Sequence, residues 1–236
     1  MKSRNSKCII LMPIKDYPEV PTDGLMIELR NRGYAVKMLY NCMYLDKSRS
    51  YLATKALSDG YDELMWIDSD MVFDPDSLEV LRSHDLPMVC GLYPMKSKDG
   101  GLASKVLSSC EKLTFGPEGG LVEIRYAATG FLYTKREVYA KIKDRFKLPV
   151  CTGDDYGDIV PYFYPMIAYD GDHYAYMGED ISFCERAKQC GYKIYADTTI
   201  RLAHIGKYRY SWEDIPGERP RARTFEVDFS SEADDD

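Results

Sequence analysis

Residues 63–73, "ELMWIDSDMVF", decide how this chain is read. Glu63 to Ile67 is a short apolar run of strand length. Asp68-Ser69-Asp70 interrupts it, and apolar residues resume at Met71. Asp and Ser are common turn formers, so the tripeptide can be a plain acidic turn. Yet its flanks are apolar, and two neighbouring carboxylates repel each other and resist desolvation. A divalent cation removes both costs. Paired hard oxygens suit Mg2+ or Mn2+, whose other positions go to phosphate oxygens and water.

The surrounding pattern places this stretch in an α/β fold. Upstream, "KCIILMPI" (7–14) reads as a buried strand. "TDGLMIELRNRGY" (22–34) reads as a helix with Leu25, Met26 and Leu29 on one face and Gly33 as its stop. "AVKMLYN" (35–41) is a second strand, and "LDKSRSYLATKALSDGY" (45–61) a second helix ended by Gly60. Strand and helix thus alternate into "ELMWI", the pattern of a parallel sheet covered by helices. Ligands of such sheets bind beyond the carboxyl ends of the strands, where Asp68-Ser69-Asp70 falls.

Downstream, "DPDSLEVLRSH" (74–84) is a helix with Asp74 as cap and Pro75 at its first position. "PMVCGLYPM" (87–95) is a strand. "KLTFGPEGGLVEIRYA" (112–127) reads as a hairpin around Gly-Pro-Glu-Gly-Gly. "TGFLYT" is a strand, "KREVYAKIKDRF" a helix, "EDISFCERAKQCGY" another helix and "KIYADTTIRLAH" (193–204) one last strand-like segment. Residues 149–177 lack periodicity, and a loop of that length is usually functional. Its aromatics, in "PYFYPMIAY" and "DHYAYM", are either packing residues or faces on which a sugar ring stacks.

Composition narrows the class. The 236 residues are 45% hydrophobic, enough for one full core. Net charge is −7, and no basic stripe or basic helix points to nucleic acid as a partner. The acidic end, 226–236, reads as a disordered tail. Seven cysteines without CxxC spacing fit scattered reduced thiols. "CIILMPI" is too short for a signal peptide, and no run reaches transmembrane length, so a cytoplasmic protein is expected.

An Asp-x-Asp ending an apolar strand in this setting resembles the metal and nucleotide-sugar site of GT-A-fold glycosyltransferases, family-2-like in its motifs. "KSRSYLATKALSDGYDELMWIDSDMVFDPDSLEVLRSHDLPMVCGLYP" is similar to their donor half, and "ATGFLYTKREVY" to their acceptor-side segment. "GEDISFCERAKQCGYKIYADTTIRLAHIG" is similar to their Glu-Asp helix and late histidine; together the three cover about residues 7–206. More weakly, the chain resembles small viral and bacterial GT-A domains that glycosylate capsid or surface polymers. The resemblance implies a single GT-A domain over 1–225, with a mostly parallel central sheet flanked by helices and a mixed acceptor-side sheet. Its donor half is expected at 1–98, its acceptor half at 99–206 and an extension at 207–225.

By the same resemblance, Asp70 ligates Mn2+ or Mg2+, Asp68 contacts the ribose or the metal through water, and Ser69 touches the nucleotide. His204 becomes the further metal ligand, although a histidine near a strand end is more often structural. Asp180 becomes the general base toward an acceptor hydroxyl, with Glu179 binding acceptor. The alternative for this pair is a helix start, where carboxylates cap and favour the positive end. Arg49 is expected on the donor's base or phosphates, and Pro13, Ile14 and Asp16 at the edge of the base pocket. Lys207 is expected over the diphosphate, and Thr129, Gly130 and Gly178 beside the acceptor. The implied partners are a nucleotide-diphosphate sugar and a glycan or glycoconjugate.

Two rivals remain. A sugar nucleotidyltransferase usually carries a Gly-rich phosphate loop after its first strand, and "MPIKDYPEV" has no glycine. A GT-A domain that binds nucleotide or glycan without transfer is disfavoured by the presence of Asp68, Asp70, Asp180 and His204 together.

Overall fold

The structure is a computed structural model that describes residues 7–97, 100–152, 157–169, 171–206, 208–215 and 224–228. Its strands are β1 (Cys8–Pro13), β2 (Ala35–Leu39), β3 (Glu63–Ile67), β4 (Met71–Val72), β5 (Met88–Gly91), β6 (Lys105–Val106), β7 (Lys112–Phe115), β8 (Leu121–Tyr126), β9 (Phe131–Lys135), β10 (Met166–Tyr169), β11 (Tyr174–Met177), β12 (Ile194–Asp197), β13 (Ala203–Ile205), β14 (Arg209–Tyr210) and β15 (Phe225–Asp228). Its helices are α1 (Val20–Asn31), α2 (Leu45–Ser58), α3 (Ser77–Ser83), α4 (Arg136–Arg145) and α5 (Glu179–Gln189).

An eight-stranded sheet runs β2-β1-β3-β9-β5-β12-β8-β6. β1 pairs in parallel with β2 and β3, and β5 with β12, while β9 and β8 run against their neighbours. The sheet is therefore mixed, with a parallel edge over β2-β1-β3. Side-chain alternation divides the core into two layers. Ile9, Leu11, Leu64 and Trp66 face the layer built with α2, α4 and α5. Cys8, Ile10, Met12, Met65 and Ile67 face the layer built with α1 and α3. Burial on both faces explains why β1 and β3 read as unbroken apolar runs.

Four local expectations need correction. The hairpin at 112–127 does not form: β7 pairs with β15, and β8 pairs with β12 and β6. The glycine turn is instead met by Thr198, whose carbonyl accepts from Gly116 and whose hydroxyl accepts from Gly120 N–H. "KIYADTTIRLAH" is two strands, because Asp197 Oδ1 accepts from the backbone and hydroxyl of Thr199 and turns the chain. α3 starts at Ser77, and Asp74 instead closes a turn by accepting from Asp76 N–H. Residues 149–177 contain the β10–β11 hairpin, and Tyr162 and Phe163 are core residues.

Glu226 to Asp228 lie within β15, so the boundary expected at 226 falls inside a strand. The rest of the expected acidic tail lies outside the described residues. The seven cysteines are free, five of them buried. No described helix is long and apolar enough to cross a membrane.

Candidate active site

The Asp68-Ser69-Asp70 loop leaves β3 and is fixed on several sides. Asp68 N–H donates to Gly130 O at 3.0 Å, and Ile205 N–H donates to Asp70 O at 2.8 Å. From the α1 side, Glu19 N–H donates to Ser69 O and the Thr22 hydroxyl to Met71 O, both at 2.8 Å. The apolar flanks, Ile67 and Met71, are fully buried. Such a loop holds its carboxylates in place before any ligand arrives.

The late histidine reaches this loop by strand pairing. β13 runs antiparallel to β4 with His204 opposite Met71. His204 Nε2 then lies 3.3 Å from Asp70 Oδ1, while Nδ1 lies 3.1 Å from the Pro94 carbonyl. A carbonyl only accepts, so Nδ1 carries a proton, and Nε2 is the ring nitrogen that meets Asp70. Asp70 Oδ1 is buried without a hydrogen-bond partner. Its other oxygen contacts the Lys96 ammonium. Burial alone would push the Asp70 carboxyl up, but His204 and Lys96 outweigh burial and hold it below the usual carboxylate range.

A buried carboxylate oxygen beside an imidazole nitrogen is a pair that would fit Mn2+ or Mg2+ once Nε2 is deprotonated. Among the described residues, no group of three or more His, Cys, Asp and Glu side chains is gathered as a metal cluster. Asp68 has a different partner. Its Oδ1 accepts from Arg49 Nη2 at 2.8 Å.

Arg49, expected on the donor, sits beneath the carboxylates. Its side chain is 2% exposed, and Nε faces Glu179 Oε1 at 3.6 Å. Burial pulls its pKa down, but Asp68 and Glu179 outweigh burial and raise it. The guanidinium therefore ties the Asp68-Ser69-Asp70 loop to the start of α5. It enters that position because α2 directs Arg49 inward with Ser48, Ser50, Leu52 and Ala53.

Gly178 caps α5, which places Glu179 and Asp180 in its first turn. Asp180 Oδ1 accepts from Ile181 N–H at 2.7 Å. Burial, and then the charge of Glu179, push the Asp180 carboxyl above its ordinary value. A raised carboxylate is the better proton acceptor near neutral pH.

Other expected residues divide. Gly130 is buried, and the neighbours it admits are Tyr93 and Asp68: a Cβ there would meet Tyr93 Cζ at 2.8 Å and Asp68 Oδ2 at 3.0 Å. Thr129 is buried beside it. Ile14 is fully buried where its N–H donates to Leu39 O and its carbonyl accepts from Cys42. Pro13 is buried at the end of β1, and Asp16 is exposed. Lys207 lies outside the described residues. His84, read from the sequence as a helix-end residue, caps α3 and pairs with Asp197 at 2.7 Å.

Two residues escaped the sequence reading. The Tyr93 hydroxyl oxygen accepts from Gly130 N–H at 2.9 Å, and its ring packs edge-on against His204 at 5.2 Å. Burial, and then the charge of Asp68, push its phenol well up, so it stays protonated. Lys96 is the other. Both follow β5, and the rule that ligands gather at strand carboxyl ends would have pointed to them.

No family model matches the chain, and no curated protein does. Among solved structures, the chain is similar to A197 from STIV, at 17% identity and a TM-score of 0.55, over 92% of this chain and 97% of that one. It also aligns with GalNAc-T7, solved with UDP, GalNAc and Mn2+, at 12% identity and a TM-score of 0.46. That alignment covers 89% of this chain but 45% of GalNAc-T7, and at that score it decides nothing. The chain thus shares the fold of A197, a single mixed α/β domain of GT-A-like architecture.

Proposed function

We propose that this protein is a metal-dependent glycosyltransferase that moves a sugar from a nucleotide-diphosphate sugar to a hydroxyl of a glycan or glycoconjugate. One observation carries the reading. Arg49 bridges Asp68, at the end of β3, to Glu179, at the start of α5, so carboxylates from distant segments share one polar cluster. Asp70 and His204 adjoin that cluster through the same loop.

Asp70 and His204 would hold Mn2+ or Mg2+, which supplies charge neutralisation to the departing nucleoside diphosphate. Asp68 and Ser69 order the ribose from the loop between β3 and β4. Asp180, with its raised proton affinity, takes the proton of the acceptor hydroxyl, and Glu179 orients the acceptor. Asp16 and Lys207 are assigned to the donor, with Pro13 at its edge and Thr129, Gly130 and Gly178 shaping the acceptor side. Arg49 acts as a positioning residue for Asp68 and Glu179.

The test is a panel of nucleotide sugars incubated with the protein and Mn2+ or Mg2+, reading free nucleoside diphosphate. Metal-dependent release that Asp70→Ala abolishes is expected. Nucleotides that bind but are never cleaved, even with acceptor glycans, would establish a binding domain instead.

A further inference from the structure

The β10–β11 hairpin pairs Ile167 with Tyr176 and Tyr169 with Tyr174, which puts all four side chains on one face. All four are exposed, at 68%, 76%, 59% and 77% respectively. Met166 and Met177, on the opposite face, are half-buried. The hairpin therefore turns its larger, more aromatic face to solvent, against the usual economy of burial. Tyr169 and Tyr174 pack against each other across the strands, 4.7 Å between ring centroids and tilted by 32°.

A two-stranded hairpin is marginal in water by itself. Here Ser182, buried in the first turn of α5, fastens its base. Its hydroxyl accepts from Met166 N–H at 2.9 Å and donates to Met177 O at 3.0 Å. That same turn carries Glu179 and Asp180. The exposed face is thus rigidly referenced to the proposed catalytic carboxylate, with Gly178 as the sole residue between β11 and α5.

We infer that Ile167, Tyr169, Tyr174 and Tyr176 form a platform on which a neutral oligosaccharide stacks as it feeds its acceptor hydroxyl toward Asp180. The chemistry selects that occupant. None of the four side chains is charged, which does not suit an ionic ligand. Tyrosine joins a flat apolar ring to a hydroxyl, matching a sugar ring that presents C–H bonds on its face and hydroxyls at its rim. The two cross-strand pairs extend about 7 Å along the strands, which accommodates one ring and directs the next. The word "acceptor" rests on the transferase reading; binding of the oligosaccharide does not.

The test titrates the full chain, without nucleotide, with short neutral gluco-, manno- and chito-oligosaccharides, followed by calorimetry. At least one series should bind, and Tyr174→Ala combined with Tyr176→Ala should weaken it by at least about tenfold. Tyr174→Phe with Tyr176→Phe keeps the rings and should retain binding within about threefold, which separates stacking from a folding defect. No binding by any series, or equal binding by the double alanine variant, overturns the platform. So does a wild-type dimer in sedimentation that the double alanine variant abolishes and oligosaccharide leaves intact, because the face would then be a contact between two copies. Glycan binding that depends on the tyrosines, in a protein that cleaves no nucleotide sugar, would sink the transferase reading and leave the platform standing.

Discussion

His204 Nε2 stands 3.3 Å from Asp70 Oδ1, brought there by the antiparallel pairing of β13 with β4. The pairing register sets His204 opposite Met71, one residue past the aspartate. The Pro94 carbonyl holds the other ring nitrogen, so the imidazole is oriented from behind. His204→Ala should weaken Mn2+ binding by at least about tenfold, the lower end of what even supporting partners of a metal ligand contribute. Calorimetric titration with Mn2+ measures this, and an unchanged dissociation constant removes His204 from the ligand set.

Lys96 competes with a cation for Asp70, because its ammonium already contacts Oδ2. Both side chains are partly exposed, so the pair contributes no more than about 1 kcal/mol. Lys96→Met should therefore tighten Mn2+ binding by up to about fivefold. Weaker binding would make the lysine a support of the site and not a rival to the ion.

Asp180 carries a proton affinity raised by burial and by Glu179. A base must be ionised, so transfer should fall as pH drops through this raised pKa. Glu179→Gln removes the neighbouring charge and should move the acid limb to lower pH. Asp180→Asn should lower kcat by at least about 100-fold.

The same shift has a stability consequence of opposite sign to catalysis. A folded-state pKa above the unfolded one gives stability that is present below the unfolded pKa and lost as pH rises through the folded pKa. At neutral pH, ionised Asp180 is a net cost. Asp180→Asn should then raise Tm at pH 7 and lose that advantage in acid, as scanning calorimetry at the two pH values would read.

Arg49→Ala should cost about 2 to 4 kcal/mol in urea unfolding, because it leaves Asp68 and Glu179 facing each other and removes a buried side chain. Arg49→Lys should rescue only part of this, since a single ammonium cannot span both carboxylates. A full rescue by lysine would mean that net charge alone matters at this position.

Gly130→Ala should destabilise by about 1 to 3 kcal/mol, because its Cβ collides with the buried Tyr93 ring and crowds Asp68. It should also raise KM for the donor, since Asp68 N–H is bonded to Gly130 O. Restored donor affinity in Gly130→Ala combined with Tyr93→Phe would trace the effect to the Tyr93 hydroxyl.

The sequence by itself determined the α/β alternation of the first half. Two-faced burial makes β1 and β3 continuous apolar runs, and one-faced burial gives α1 and α2 their spacing. It also marked Asp68 and Asp70 as residues with chemistry to offer, because two carboxylates at the end of an apolar strand repel and resist desolvation, whereas Glu179, Asp180 and His204 were singled out by the family resemblance. Only the tertiary structure decided which of them meet. β7 chose β15 over β8, because strand pairing depends on partners far along the chain that local pattern does not encode. Arg49 was expected on the donor, yet long-range packing buried it between Asp68 and Glu179. Lys96 carried no motif at all, and reached Asp70 only because β5 and β3 end on the same side of one sheet.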